Sequence, residues 1–247
     1  MTEHEEWAAG DPLKEIPASV FADDDGTADA RLAQSLIRFS RGKAPLAEVV
    51  DALAYARILV PVVADGGERI VGKYGIEQDH VASTGVVALQ APDGRMALPI
   101  FTDVSAMRAW NAEARPIPAE GPRAALAATA EGWSVLILNP GLETVLIPRP
   151  AVWALGSGEP WRPAVVDGVV GDEVKQAIAD AIPAVGPVRA VDALPGRGAE
   201  VAVVLSLEPG LDRATLDDLV RDVHEALAAS SVIADRVDSL ELRLASA

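Results

Sequence analysis

A mixed α/β fold in two parts is what this sequence predicts, and three observations carry the expectation. Short β-rich runs alternate with segments whose apolar residues recur at helical spacing. One run, Trp133 to Leu138 (WSVLIL), is apolar almost throughout, which suits a central strand covered on both faces. A glycine- and proline-rich stretch, residues 157–170, separates a long first set of elements from a shorter α-β-β-α-β set. The expected organisation is therefore an acidic tail at 1–28, a mixed-sheet domain at 29–156, a linker at 157–170 and a small α/β domain at 171–247.

The first domain should open with two helices. Leu32, Leu36, Ile37 and Phe39 recur at helical spacing, and Gly42 ends that run. Pro45 opens the next helix, where a missing N–H costs nothing, and Leu46, Val49, Val50 and Leu53 form its stripe. Arg57 to Val63 reads as a strand, with Pro61 pointing to an edge or a bulge. A glycine-rich connection follows, from Asp65 to about Thr84. Val86–Gln90 and Met96–Phe101 form a hairpin around Pro92-Asp93-Gly94. Thr102 or Asp103 caps a helix to Trp110, and Arg115 to Pro118 must be extended. An alanine-rich helix runs from Pro122 to Ala130. After WSVLIL, Asn139-Pro140-Gly141 fits a type II turn into a strand from Leu142 to Ile147. Pro150 to Leu155 is a last helix.

In the second set, helices are expected at 172–182 and 212–229, with strands at 188–194, 201–207 and 240–244. The order resembles part of a ferredoxin-like sandwich. A right-handed crossover is expected to leave the first of these strands at the centre.

Composition excludes several functions. Acids outnumber bases 37 to 21, giving a formal charge of −16. A nucleic-acid binder needs a basic face to displace counterions, and an anionic membrane needs the same. Neither partner is expected. With no cysteine there are no disulfides, thiol nucleophiles or thiolate metal sites. Three histidines, His4, His80 and His224, fall in a tail, a loop and a helix, so no histidine metal motif can be written. The acidic start lacks a signal peptide, which makes cytoplasm the default.

Each candidate motif has a plainer explanation. Gly67 to Lys73 matches G-x-x-x-x-G-K, but Tyr74 stands where a P-loop needs a short hydroxyl, and no helix pattern follows. His80 has Asp79, Ser83 and Thr84 nearby, yet adjacency does not make a triad. Asp218 and Asp222 lie one helical turn apart, the ordinary look of a solvated acidic face. Asp23-Asp24-Asp25-Gly26 lacks the alternating ligands of an EF-hand. No catalytic residue, cofactor or metal is expected. Trp133 and Trp153 should be core, and Trp110 half exposed with Arg115 close enough to stack on it.

The stretch DGRMALPIFTDVSAMRAW (93–110), then RPIP (115–118) and LILNPG (136–141), resembles the N-terminal domain of the SseB family, in its actinobacterial form. The resemblance covers roughly residues 30–156. It implies a soluble bacterial α/β domain with a name drawn from serine sensitivity. It assigns no catalytic residue.

Two function classes follow. The first is a non-catalytic binding or regulatory protein with a protein partner or a second copy of itself. Its candidate interaction surface comprises Trp110, Arg115, Asn139, Val191 and Val204. The C-terminal sheet contributes a face with Arg189, Val191, Ala193, Ala202, Val204 and Ser206, expected to be left open by the helices. The second class is an enzyme acting on a small molecule in an inter-domain cleft, for which Arg115, Asn139 and His80 would have to converge.

Overall fold

The computed structural model describes residue 21 and residues 24–63, 78–79 and 86–247. The Gly67–Lys73 motif, Tyr74, His80, Ser83, Thr84, His4 and Trp7 lie outside the described residues. Within the expected tail, Asp24 ion-pairs with Arg57 at 2.8 Å, and the Gly26 carbonyl accepts the Val104 N–H at 3.1 Å.

Helix α1 (Ala30–Ser40) starts where the Asp29 carboxylate accepts the Leu32 N–H, which satisfies a donor the first turn leaves free. It ends before Gly42, whose φ of +64° suits glycine. Helix α2 (Leu46–Leu53) follows Pro45 and buries Val49, Val50 and Leu53. Strand β1 (Arg57–Val62) pairs antiparallel with β5 (Arg115–Glu120), where Pro61 faces Pro116. Neither proline has an N–H to lose, so this two-stranded ribbon tolerates both.

The main sheet runs β2-β3-β4-β6-β7, built from β2 (Gln78–Asp79), β3 (Ala88–Gln90), β4 (Met96–Ile100), β6 (Val135–Leu138) and β7 (Val145–Ile147). Strands β4 and β6 are parallel; the other pairs are antiparallel. The segment joining β4 to β6 holds α3 (Val104–Trp110), β5 and α4 (Gly121–Ala130). Helix α5 (Arg149–Ser157) follows β7. Gly121 is required by packing: a Cβ there would lie 2.0 Å from the Leu53 carbonyl oxygen.

This sheet is covered on both faces, as the apolar run at β6 predicts. Leu98, Ile100, Leu136 and Leu138 point into the main core with α1, α2, α4 and α5. Ala97, Val135 and Ile137 point the other way, beside Val87 and Leu89, with half-buried Val63 and Trp110 packed against them. Trp133 is buried with the main core, as expected. Trp153 is not: it is 57 % exposed on the outer side of α5. Its neighbours in sequence are apolar, but Ala151, Val152 and Leu155 take the inward positions of that short helix.

The C-terminal region begins with a hairpin, β8 (Val165–Val166) and β9 (Val169–Val170), turned by Asp167 and Gly168, both at positive φ. Ala164 and Val170 are buried in the second core, so this part of the glycine-rich stretch belongs to that core. Helix α6 (Asp172–Ala181), strands β10 (Val188–Pro195) and β11 (Val201–Leu207), helices α7 (Arg213–Ala229) and α8 (Ser231–Arg236), and strand β12 (Leu240–Ser246) complete it.

The sheet order is β10-β11-β12, with β10–β11 antiparallel and β11–β12 parallel. The centre is therefore β11, not β10 as the expected crossover had it. The physical reason lies in composition. β11 (VAVVLSL) carries no charge and is shielded along most of its length, whereas β10 exposes Arg189 and Asp192 and so suits an edge. Among the described residues, no helix is long and apolar enough to cross a membrane.

Candidate functional site

The five candidate surface residues do not converge. Asn139 ends β6 at a φ of +50° and is occupied in holding the turn together. Its Oδ1 accepts the Thr102 N–H at 3.0 Å, and its side-chain amide donates to Thr102 Oγ1 at 3.2 Å. Its own N–H reaches the Ile100 carbonyl at 2.9 Å, and Thr144 Oγ1 donates to its carbonyl at 3.3 Å. Asn139 thereby locks the carboxyl ends of the two parallel strands to each other. A cavity of about 240 Å³ opens beside it, between Leu36, Phe39 and Glu143.

Trp110 stacks on Phe101, with ring centroids 5.3 Å apart and planes tilted by 40°. That is its ring contact among the described residues; Arg115 stands exposed at the start of β5 and does not stack on it.

Val191 and Val204 fall on opposite faces. Register places Val191 opposite Leu205 and Ala193 opposite Val203, on the face the helices cover. The open face carries Ala190, Asp192 and Leu194 from β10, beside Ser206, Val204 and Ala202 from β11. Expecting Val191 and Ala193 there was an error of one residue, and a one-residue slip reverses every side chain of a strand. The register shift between Val188 and Ala190 fixes it, leaving Arg189 as the extra residue.

Sequence reading missed a polar junction between the two regions. Asp238, just before β12, takes a bidentate pair from Arg95 at 2.7 and 2.8 Å. It also accepts the backbone N–H of Arg149 at 3.0 Å. The Arg149 guanidinium caps the end of α8, donating to the carbonyls of Ala234 at 2.7 Å and Val237 at 2.6 Å. Glu200 accepts the Asp238 N–H at 2.7 Å. Burial pushes the Glu200 carboxyl above its ordinary value; that N–H pulls it down, and the Asp238 charge pushes it up again. The Asp238 and Asp93 carboxylates hold Arg95 firmly protonated. Nothing in the sequence signals this cluster, because Arg95 and Asp238 are 143 positions apart. A cavity of about 250 Å³ lies alongside, with Arg149, His224, Asp238 and Ser239 in its wall.

The acidic face of α7 is engaged locally: Arg221 bonds Asp218 at 2.6 Å. Among the described residues, no three His, Asp or Glu side chains cluster to hold a metal ion.

Residues 32–154 match the family model for the SseB protein N-terminal domain. This stretch belongs to the SseB family. The match spans α1 through most of α5, the region built on the five-stranded sheet, and stops before the C-terminal region. No curated protein and no solved structure matches the chain.

Proposed function

We propose that this chain is a protein-binding module of the bacterial cytoplasm that works by contact instead of catalysis. The observation that carries the reading is an exposed apolar pair on the SseB domain. Trp153 on α5 is 57 % exposed and Leu126 on α4 is 54 % exposed. Leu126 lies over Gly156, with its Cδ2 3.3 Å from where a Cβ would be. Gly156 is one helical turn from Trp153, so the two side chains form one patch. Tryptophan is enriched among interface anchors, since one side chain desolvates a large area. Placing the partner in amino-acid metabolism rests on the family resemblance alone.

The test compares wild type with Trp153→Ala and Leu126→Ala in pull-downs from native lysate. Both variants should keep their melting temperature, because the side chains are largely in solvent. Both should lose the same retained protein. An unchanged set of retained proteins would count against the patch.

A second reading is a small-molecule enzyme at the junction between regions. The cavity beside Arg149 and His224 favours it. A saturable thermal shift with a metabolite, lost in His224→Ala, would move the assignment there.

A further inference from the structure

We propose that the open face of the C-terminal sheet is a homodimer contact, with a second copy of this chain as its occupant. The contact is independent of the Trp153 patch. Helices α6, α7 and α8 pack on one face only, against Val201, Val203, Leu205 and Leu207. On the other face Ala202 is buried, but Asp192 is exposed, Leu194 is 42 % exposed and Val204 is half-buried without belonging to any apolar core.

The register supplies the reason for a second copy. Asp192 lies opposite Val204, and Val204 lies opposite Arg243 on β12. The middle row of the face therefore reads acid, apolar, base across three strands. Two such faces can be stacked about a twofold axis in two simple ways. With the axis along the strands, β10 of one copy lies over β12 of the other. Asp192 then meets the second copy's Arg243, Arg243 meets its Asp192, and the two Val204 side chains meet at the centre. With the axis across the strands, Asp192 meets Asp192 and Arg243 meets Arg243. The first arrangement is self-complementary in charge, as an isologous contact requires. Glu241 shares this face: it pairs with Arg243 within the chain and takes the N–H groups of Arg197 and Gly198 at 3.1 and 2.9 Å, so in the dimer Arg243 bridges its own Glu241 and the second copy's Asp192.

The face is small. Three strands about 4.8 Å apart and about 20 Å long offer on the order of 300 Å² per copy. A stable interface uses about 800 Å² per partner, so this dimer should be weak. Sedimentation velocity of the full chain from about 1 µM to about 1 mM tests it. Wild type should shift from monomer to dimer across that range. Asp192→Arg and Arg243→Asp should each weaken association at least tenfold, because each places like charges together twice. An equimolar mixture of the two variants should associate again, since every cross-contact is then acid to base. Circular dichroism confirms that each variant is folded, and Val204→Glu provides a third disruption that sets two carboxylates against each other at the centre and leaves Asp192 and Arg243 in place. Three outcomes overturn the proposal: a wild-type monomer at the highest concentration, association indifferent to all three substitutions, or a mixture that stays monomeric. Trp153→Ala should leave the dimer intact, which separates this contact from the patch on α5.

Discussion

The two sheets treat the same sequence signal differently. Strand β6 (VLIL) and strand β11 (VAVVLSL) both read as uncharged apolar runs. In the SseB domain, helices cover one face of β6 and a second apolar layer covers the other, leaving all four residues buried. In the C-terminal region helices cover one face of β11; on the other Ala202 is buried, but Val204 and Ser206 remain half-exposed. A strand buried on two faces is read correctly as central. A strand with the same composition whose second face is only partly covered, among the described residues, is the one for which a second copy is proposed as cover. That contrast is the physical basis for the proposal that the C-terminal sheet associates.

The largest expected effect tests the two-sided burial directly. Ile137 on β6 is 1 % exposed. Ile137→Glu places a carboxylate without a partner there, at several kcal/mol, comparable to the whole stability of a domain. The variant should be unfolded or insoluble by circular dichroism. Next is Gly121→Ala, whose new methyl group meets the Leu53 carbonyl; a loss of about 3 kcal/mol in urea denaturation is expected.

Asp238→Ala probes the junction that joins the two regions. It strips Arg95 of its bidentate partner and Arg149 of an acceptor in a partly exposed site. About 2 kcal/mol should be lost, with a second unfolding transition as the C-terminal region uncouples.

A smaller effect concerns pH. Glu200 has a folded pKa raised above the ordinary carboxylate value by burial. It binds its proton more tightly when folded, so its contribution favours folding below about pH 4.5 and is withdrawn as pH rises through the folded value. Glu200→Gln keeps a carbonyl oxygen for the Asp238 N–H and cannot ionise. Relative to wild type it should gain stability between pH 4 and pH 7, read from urea midpoints at both values. An unchanged difference would mean that Glu200 ionises freely in the fold. The smallest stability effect is Val204→Glu, within about 1 kcal/mol in the dilute monomer.

Much of the SseB domain was legible because its local signals agree. Asp29 and Asp103 cap the helices they precede, Gly42, Gly94 and Gly141 sit at positive φ, and WSVLIL is central. The hairpin at β8–β9 carries an equally readable signal. Asp167-Gly168 between two valine pairs is a strong two-residue turn signal. The surrounding glycine- and proline-rich stretch, which reads as linker, masks it. The position of β10 and the faces of Val191 and Val204 were not legible. They depend on strand neighbours and on a register shift at Arg189, and periodicity carries neither. Trp153 misled because composition shows that a segment is apolar, not which way one side chain of a short helix points. The Asp238 junction left no local trace at all.

The central claim is that the two apolar strands differ in how fully the described residues cover their second face. Methyl NMR on dilution tests it most directly. Valine and leucine methyl resonances of Val204 and Leu194 should move between about 10 µM and about 1 mM. Those of Val203, on the covered side of the same strand, and of Ile137 in the SseB sheet should stay fixed. Val204 methyls as insensitive to concentration as those of Ile137 would contradict the account.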